Sequence, residues 1–218
     1  MSFDTHTIET RTHGRYLVRT PDAAGRWPML VGFHGYGENA AIHMAALERI
    51  PGTAGWLLVA VQGLHRFYTK GGDIVASWMT KEDRELAIAD NIAYVRLVVD
   101  AARAQFPAGD PLVFAGFSQG VAMAFRAAAH IPAEGLVVMG GDVPPDVADS
   151  TSASLPPVLC GRGSRDALYS AESHARDIAT LVRLGVPVES LTFDGGHEWT
   201  PEALAAAGRT LARFASTS

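Results

Sequence analysis

The sequence Gly116-Phe117-Ser118-Gln119-Gly120 places a serine between two glycines in the pattern G-x-S-x-G. It lies between an apolar run at residues 112–115 and a stretch of small residues that favours a helix. A sharp strand-to-helix turn needs small flanking residues, and it presents the serine hydroxyl at a helix N-terminus, where a developing oxyanion is stabilised. We therefore predict that Ser118 is a nucleophile.

A serine nucleophile requires a general base, commonly a histidine. The histidines after Ser118 are His130, His174 and His197. We interpret His130 and His174, which fall in helical stretches, as surface or cap residues. His197 follows the last predicted strand in Asp194-Gly195-Gly196-His197-Glu198-Trp199, where two glycines let a loop present the imidazole. We predict that His197 is the base.

The acid that orients the base is expected between the serine and the histidine in chain order. Asp166 meets this condition and follows the predicted strand at residues 158–160. Asp142, which follows the preceding strand, is the alternative. Asp194 is too near His197 in sequence to approach its Nδ1 atom comfortably. The sequence favours Asp166 as the acid.

A second glycine-rich loop, His34-Gly35-Tyr36-Gly37-Glu38-Asn39, follows the predicted strand at residues 29–33. Such a loop supplies one N–H to an oxyanion hole, and the residue after the nucleophile supplies another. We predict that the donors are the backbone amides of Tyr36 and Gln119, and that His34 braces the loop by hydrogen bonds. The nearby histidines lack the spacing of a zinc site, so we predict neither a metal nor a cofactor.

Short apolar runs alternate with helical stretches along the chain. Strands are predicted at residues 16–19, 29–33, 56–61, 112–115, 136–139, 158–160 and 188–193. The clearest helix is predicted over residues 82–106, where apolar residues recur every three or four positions. This order predicts an α/β fold with a mostly parallel, doubly wound sheet and an antiparallel N-terminal edge. Ligands of such sheets bind at the carboxyl ends of the strands, where the candidate residues fall.

The composition narrows the class of protein. The chain has 218 residues, 48% of them hydrophobic and 19% charged, which is typical of a single globular domain over residues 1–218. A net charge of -5 without a basic cluster argues against nucleic-acid binding. No apolar run approaches the roughly 20 residues of a membrane helix, and no signal peptide is visible. We expect a cytoplasmic protein without membrane insertion, and the composition leaves both a monomer and a homodimer open.

Taken together, the motifs resemble those of the phospholipase/carboxylesterase family of α/β-hydrolases, which includes bacterial carboxylesterases and acyl-protein thioesterases. The resemblance extends over residues 29–214 and rests on HGYGEN (34–39), SWM (77–79) followed by ED (82–83), GFSQG (116–120), G-x-x-x-x-D (161–166) and GGHEW (195–199). It implies an α/β-hydrolase fold and hydrolysis of an ester or thioester through an acyl-enzyme, without a cofactor. Tyr36 stands where many members have leucine, and Glu38 where aspartate or a small residue is common. These differences predict a differently shaped acyl site.

Residues 62–80 stand in the place of the large cap domain of bigger relatives, so we predict no cap domain. We expect this segment to wall an apolar pocket for the acyl chain. The residues predicted to bind substrate are Phe67, Tyr68, Trp78, Met79 and Trp199. In the alternative interpretation, Trp78 and Phe67 are core residues under a long loop.

We predict a serine hydrolase that cleaves a carboxylic ester or thioester of a small-molecule acyl substrate. One alternative keeps Ser118, Asp166 and His197 but changes the substrate to a lysophospholipid, a polyester or a peptide. A second alternative is a protein of the same fold that binds a small molecule without turning it over. Loss of a catalytic residue would indicate that second alternative, and the sequence lacks none of them.

Overall fold

The computed structural model describes residues 3–150 and 154–215; the other residues of the predicted range 1–218 lie outside this description. In chain order its strands and helices are β1 (Arg15–Arg19), β2 (Trp27–Phe33), α1 (Ala40–Glu48), β3 (Leu57–Gln62), β4 (His65–Tyr68), β5 (Ile74–Ser77), α2 (Arg84–Gln105), β6 (Ala108–Phe117), α3 (Gln119–His130), β7 (Gly135–Met139), α4 (Pro145–Ala148), β8 (Val158–Gly163), α5 (Ala171–Arg183), β9 (Val188–Phe193) and α6 (Pro201–Ala215).

Seven of the described strands form one sheet in the order β1-β3-β2-β6-β7-β8-β9. Strand β1 pairs with β3 in the antiparallel direction, and every other pair in this sheet is parallel. The predicted parallel sheet with an antiparallel N-terminal edge is therefore confirmed. Strands β4 and β5 form a separate antiparallel hairpin within residues 62–80, where the sequence predicted only a loop.

The central strands are buried on both faces because helices cover both. In β2, Met29, Val31 and Phe33 belong to a core on one face that includes residues of α2, α3 and α5. Leu30, which alternates with them, belongs to a core on the other face together with residues of α1 and α6. This double covering explains the continuous apolar runs and confirms the doubly wound arrangement.

The long predicted helix lies within residues 82–106 as α2, and its buried side chains include Val95, Val99 and Ala102 of the predicted stripe. None of the helices among the described residues combines the length and apolarity needed to span a bilayer.

Candidate active site

Ser118 lies in the turn between β6 and α3 with φ 53° and ψ −121°. This conformation is costly for a residue other than glycine, by about 1–3 kcal/mol. The flanking glycines are required by close packing. A Cβ atom on Gly116 would lie 2.6 Å from the carbonyl oxygen of Gly120, and one on Gly120 would clash with the carbonyl group of Phe33. The G-x-S-x-G pattern thus corresponds to a tight turn that holds the serine at the start of α3.

His197 and Asp166 are joined by a hydrogen bond of 2.8 Å between Nδ1 and Oδ2. The other carboxylate oxygen, Oδ1, accepts hydrogen bonds from the amides of Leu168 and Tyr169 at 2.8 and 2.9 Å. Burial alone would raise the pKa of Asp166, but the bonds from the two amides and the imidazole hold this pKa below its usual value. The ionised carboxylate therefore keeps the imidazole proton on Nδ1.

The second imidazole nitrogen of His197, Nε2, is buried and has no hydrogen-bond partner among the described residues, Ser118 included. The His197 side chain lines the same cavity as Ser118. Its ring packs on Phe117, with 4.9 Å between the ring centroids. Gly140 makes room for it, since a Cβ there would lie 3.1 Å from the imidazole Cε1. Gly140 was not predicted to contribute to the site, although a glycine pair directly after a central strand is a usable signal.

Asp142, the alternative acid, lies on the wall of this cavity but makes no hydrogen bond to His197. Its side chain is 64% exposed and is 3.7 Å from the Arg176 guanidinium. Of the two candidates, the structure brings Asp166 to the imidazole and leaves Asp142 in solvent.

His130 is exposed at the end of α3. His174, in contrast, is buried, so its interpretation as a surface or cap residue is wrong. Its Nε2 atom is 2.9 Å from the Ser190 hydroxyl, and its Nδ1 atom is 3.9 Å from the Cys160 sulfur. Burial raises the pKa of the Cys160 thiol to about 12, so this cysteine is a poor nucleophile at neutral pH.

The loop predicted to supply the oxyanion hole lies against the serine, since a Cβ on Gly35 would be 3.2 Å from the Cβ of Ser118. His34 braces this loop, as predicted: Nδ1 is 2.7 Å from the carbonyl oxygen of Gly35, and Nε2 accepts from the amide of Gly63 at 3.0 Å. Burial lowers the pKa of His34, which favours the neutral ring that one donor and one acceptor require. Within the described residues, the amide of Tyr36 donates to no other group.

The side chain of Gln119 connects two of the sequence motifs. Its Oε1 atom accepts hydrogen bonds from the Trp78 amide at 3.0 Å and the Ser77 hydroxyl at 3.2 Å, and its Nε2 atom donates to the Met79 carbonyl oxygen at 3.2 Å. The backbone amide of Gln119 begins α3 and donates to no other described group. The residue after the serine therefore holds the S-W-M segment in place while its own amide stays available.

A cavity of about 740 Å³ adjoins Ser118 and His197. Its apolar wall includes Met79, Ala122, Val143, Pro144 and Leu168. The cavity also has charged walls, formed by Lys81, Arg84, Asp142, Asp149, Arg176 and Asp177. The residues after β7 and those in the middle of α5 were not predicted to contribute. Two consecutive prolines after β7 were the signal available for the first group.

Met79 is the one predicted substrate-binding residue that lines this cavity. Trp78 is fully buried, packs on Phe33 and His34, and donates its indole N–H to the His34 carbonyl oxygen at 2.8 Å. The prediction that Trp78 lines the acyl pocket is wrong, because its side chain faces the core beneath the loop of residues 34–39.

The remaining predicted substrate-binding residues do not line this cavity either. Phe67 and Tyr68 belong to the β4–β5 hairpin; the Phe67 ring packs on Tyr36, and Tyr68 is 73% exposed. Trp199 is half-buried, with its ring centroid 6.1 Å from that of Phe117. Among the described residues, no group of three or more His, Cys, Asp or Glu side chains could hold a metal ion.

No protein-family model and no curated protein sequence matches the chain. Solved structures do match it. Esterase PE8 superposes with a TM-score of 0.74 at 22% identity, over 93% of this chain and 100% of that one. The Bacillus cereus carboxylesterase gives 0.73 at 16% identity, over 92% and 94%. The Zea mays acyl-protein thioesterase 2 gives 0.73 at 20% identity, over 92% and 99%.

At these identities the likeness establishes the fold. The chain has the α/β-hydrolase fold of these esterase and thioesterase structures, and the predicted fold class is confirmed. The resemblance that the motifs indicated is thus confirmed at the level of the fold.

Proposed function

We propose that the chain is a serine hydrolase that cleaves a carboxylic ester or thioester through an acyl-enzyme on Ser118. The observation that carries this proposal is the hydrogen-bonded pair of His197 and Asp166, whose free imidazole nitrogen is buried at the cavity shared with Ser118. A histidine oriented by a carboxylate beside a serine in a strained strand-to-helix turn is the arrangement that activates a hydroxyl as a nucleophile.

In the first half of the reaction, Ser118 Oγ attacks the acyl carbonyl while Nε2 of His197 accepts its proton. Catalytic hydrogen bonds of this kind often form only with substrate bound, so the unpartnered Nε2 is the expected resting state. Asp166 stabilises the imidazolium, and the amides of Tyr36 and Gln119 stabilise the oxyanion. Collapse of the intermediate transfers the proton from Nε2 to the leaving group and leaves the acyl-enzyme.

In the second half, His197 removes a proton from water, which attacks the acyl-enzyme. The acid leaves, and the proton returns through Nε2 to Ser118. Every proton transfer uses a side chain of this chain, so the proposed reaction requires no cofactor. The cavity of about 740 Å³ has the size of a small-molecule site, and its apolar wall near Met79 suits a short acyl group.

The first test is labelling with a fluorophosphonate, which reacts with activated serines. Wild type should be labelled and Ser118→Ala should not, while circular dichroism shows the same fold. Ser164→Ala, which alters an exposed loop serine, is the matched control and should be labelled like wild type. Equal labelling of the Ser118→Ala protein would remove Ser118 from the mechanism.

The second test is hydrolysis of p-nitrophenyl esters of increasing acyl length beside acyl thioesters. We expect turnover of short-chain substrates. Binding of these compounds without hydrolysis by the wild type would instead favour a non-catalytic binding protein.

A further inference from the structure

Glu38 brings a second carboxylate to the candidate active site. Its Oε2 atom accepts a hydrogen bond of 2.7 Å from the amide of Gly35, and its side chain is half-buried. A Cβ atom on Gly35 would lie 3.2 Å from this oxygen and also 3.2 Å from the Cβ of Ser118. The carboxylate therefore lies close to the serine, on the loop that is proposed to form the oxyanion hole.

The backbone fixes where this carboxylate lies. The amide of Glu38 donates to the carbonyl oxygen of Gly35 at 3.2 Å, and this hydrogen bond closes a turn. The Glu38 carboxylate accepts from the Gly35 amide across the same turn. The carbonyl oxygen of Glu38 accepts from the Ala76 amide at 2.7 Å, and the Gly37 amide donates to the Ala76 carbonyl oxygen at 3.1 Å. Strand β5 thus anchors the turn, so the Glu38 side chain is held beside the site.

The Glu38 carboxylate has an unusual electrostatic environment. Burial raises the pKa of Glu38, while the hydrogen bond from Gly35 and the positive charge of a protonated His197 lower it. Electrostatic interaction is mutual, so a carboxylate that an imidazolium stabilises must also stabilise that imidazolium.

Other charged groups surround His197 from the elements packed on it. Asp166 binds Nδ1 from the end of β8, and Glu198 on the same loop directs its carboxylate to the Gly196 amide at 3.2 Å. The charged side chains on the shared cavity wall are Lys81, Arg84, Asp142, Asp149, Arg176 and Asp177. Those of Asp142 and Arg176 are more than half exposed and pair with each other, so solvent screens them.

We propose that Glu38 is a positioning residue of this active site, whose carboxylate stabilises the imidazolium of His197 and whose hydrogen bond to Gly35 shapes the oxyanion loop. The proposal rests on the proposed hydrolysis by Ser118, since the imidazolium forms during acyl transfer. It also gives a role to the position at which the chain departs from the aspartate or small residue common in the family it resembles.

Glu38→Gln separates the two roles, because glutamine retains an acceptor for the Gly35 amide and loses the charge. Without the negative charge the protonated imidazole of His197 should be less stable. The acid limb of kcat/KM against pH should then move to lower pH by about 0.5 to 1 unit, the effect expected of one partly screened charge. We expect kcat to fall several-fold with KM little changed.

Two further variants complete the series. Glu38→Asp retains the charge and should restore the wild-type acid limb. Glu38→Ala removes both the charge and the hydrogen bond, so it should show the same shift as Glu38→Gln and a larger loss of kcat.

Glu134→Gln is the matched control. The Glu134 carboxylate also accepts a hydrogen bond of 2.7 Å from a backbone amide, that of Leu112, but towards the opposite end of β6 from Ser118. This variant should leave the acid limb unchanged. A Glu38→Gln protein with the wild-type limb, or an equal shift in Glu134→Gln, would overturn the proposal.

NMR titration of the His197 ring in wild type and Glu38→Gln measures the same shift without turnover. It decides whether Glu38 acts on His197 even if the fluorophosphonate fails to label Ser118, in which case only the proposed hydrolysis fails. An unchanged His197 titration in Glu38→Gln refutes the Glu38 proposal even if the wild type hydrolyses esters.

Discussion

At the scale of single residues, both carboxylate oxygens of Asp166 accept hydrogen bonds. The orientation of this side chain therefore does not depend on His197 alone. Asp166→Asn should preserve this geometry but allow the wrong imidazole tautomer. We expect kcat to fall by several orders of magnitude, on the order of 10⁴ in the best-studied case of such a substitution, with KM nearly unchanged. Steady-state kinetics on a p-nitrophenyl ester measures both values.

Asp142→Asn is the control for this experiment, because Asp142 lies on the same cavity and carries the same charge. It should cost far less activity. If the two variants ranked in the opposite order, the orienting role would pass to Asp142.

Trp78 and Met79 are neighbours in sequence with different surroundings, and a pair of substitutions tests this difference. Trp78→Phe removes the donor to the buried His34 carbonyl, which should lower stability by about 1–3 kcal/mol and leave the acyl chain-length profile unchanged. Met79→Ala removes apolar surface from the cavity wall. Because each buried methylene contributes about 0.8 kcal/mol, it should flatten the rise of kcat/KM with acyl length.

Urea unfolding and the p-nitrophenyl ester series measure the two effects separately. A flattened dependence of kcat/KM on acyl length in Trp78→Phe, together with a normal dependence in Met79→Ala, would mean that Trp78 and not Met79 contacts the acyl chain.

At the scale of elements, the short helix α4 is attached to α3 through an ion pair whose arginine is buried. Arg126 is fully buried and donates from Nε and Nη2 to the two carboxylate oxygens of Asp146, at 2.8 and 2.7 Å. Its Nη1 atom is 3.7 Å from the Met79 sulfur. The hydrogen bonds from Arg126 lower the pKa of Asp146, although burial opposes them. The pair therefore joins α3, α4 and one side of the cavity.

Asp146→Asn should destabilise the fold because it leaves the Arg126 guanidinium buried without its counter-charge. Breaking a fully buried pair costs about 3–5 kcal/mol, and we expect about 2 kcal/mol here because the Asp146 side chain is 44% exposed. The double variant Arg126→Met/Asp146→Asn should recover much of this loss, since no charge remains buried. Urea unfolding measures both, and a double variant no more stable than Asp146→Asn would contradict this account.

The elements show which parts of the structure were accessible to sequence analysis. Strands β2, β6 and β7 are buried on both faces, so their apolar runs predicted a parallel sheet. The hairpin of β4 and β5 escaped detection because β4 is largely exposed and β5 largely buried, without a regular alternation along either strand. Trp78 follows this hairpin in irregular backbone, where no periodicity indicates the direction of a side chain.

For the candidate site, strand ends predicted which residues would meet. Asp166 and His197 follow neighbouring parallel strands, β8 and β9, and their side chains are 2.8 Å apart. The cavity wall was less predictable because it depends on how α4 and α5 pack over the ends of the strands. Glu38 needed the turn geometry of its loop, since its contact with Gly35 spans only three residues and leaves no pattern in the sequence.

At the scale of the whole molecule, the two packed faces of the sheet enclose polar groups that must remain neutral. His34, His43 and His174 are all buried, and burial lowers the pKa of each. For His43 the pKa falls to about 3, and the nearby His34 contributes to this shift. Its Nε2 atom is buried without a hydrogen-bond partner among the described residues. A protonated ring at this position would be an unpaired charge in the core.

His43 should therefore make the fold sensitive to acid. Below pH 6.5 the unfolded chain binds a proton at His43, whereas the folded chain excludes this proton until about pH 3. The contribution of neutral His43 to the free energy of unfolding is therefore fully present above pH 6.5 and is lost as the pH decreases. The slope attributable to one such group is about 1.4 kcal/mol per pH unit. His34 and His174 act in the same direction, whereas Glu38 and Asp177, whose pKa values burial raises, act in the opposite one.

His43→Leu isolates this contribution, because it removes the titrating group and retains an apolar side chain. Its free energy of unfolding, from urea titrations at intervals between pH 6.5 and 4.5, should decline less steeply with falling pH than that of the wild type, by about 1 kcal/mol per unit. The comparison concerns the slope, so any change in stability at neutral pH does not affect it. His130→Leu, at an exposed position, should keep the wild-type slope. Parallel curves for His43→Leu and wild type would mean that His43 becomes protonated in the folded state, and that the core around its ring opens to admit the charge.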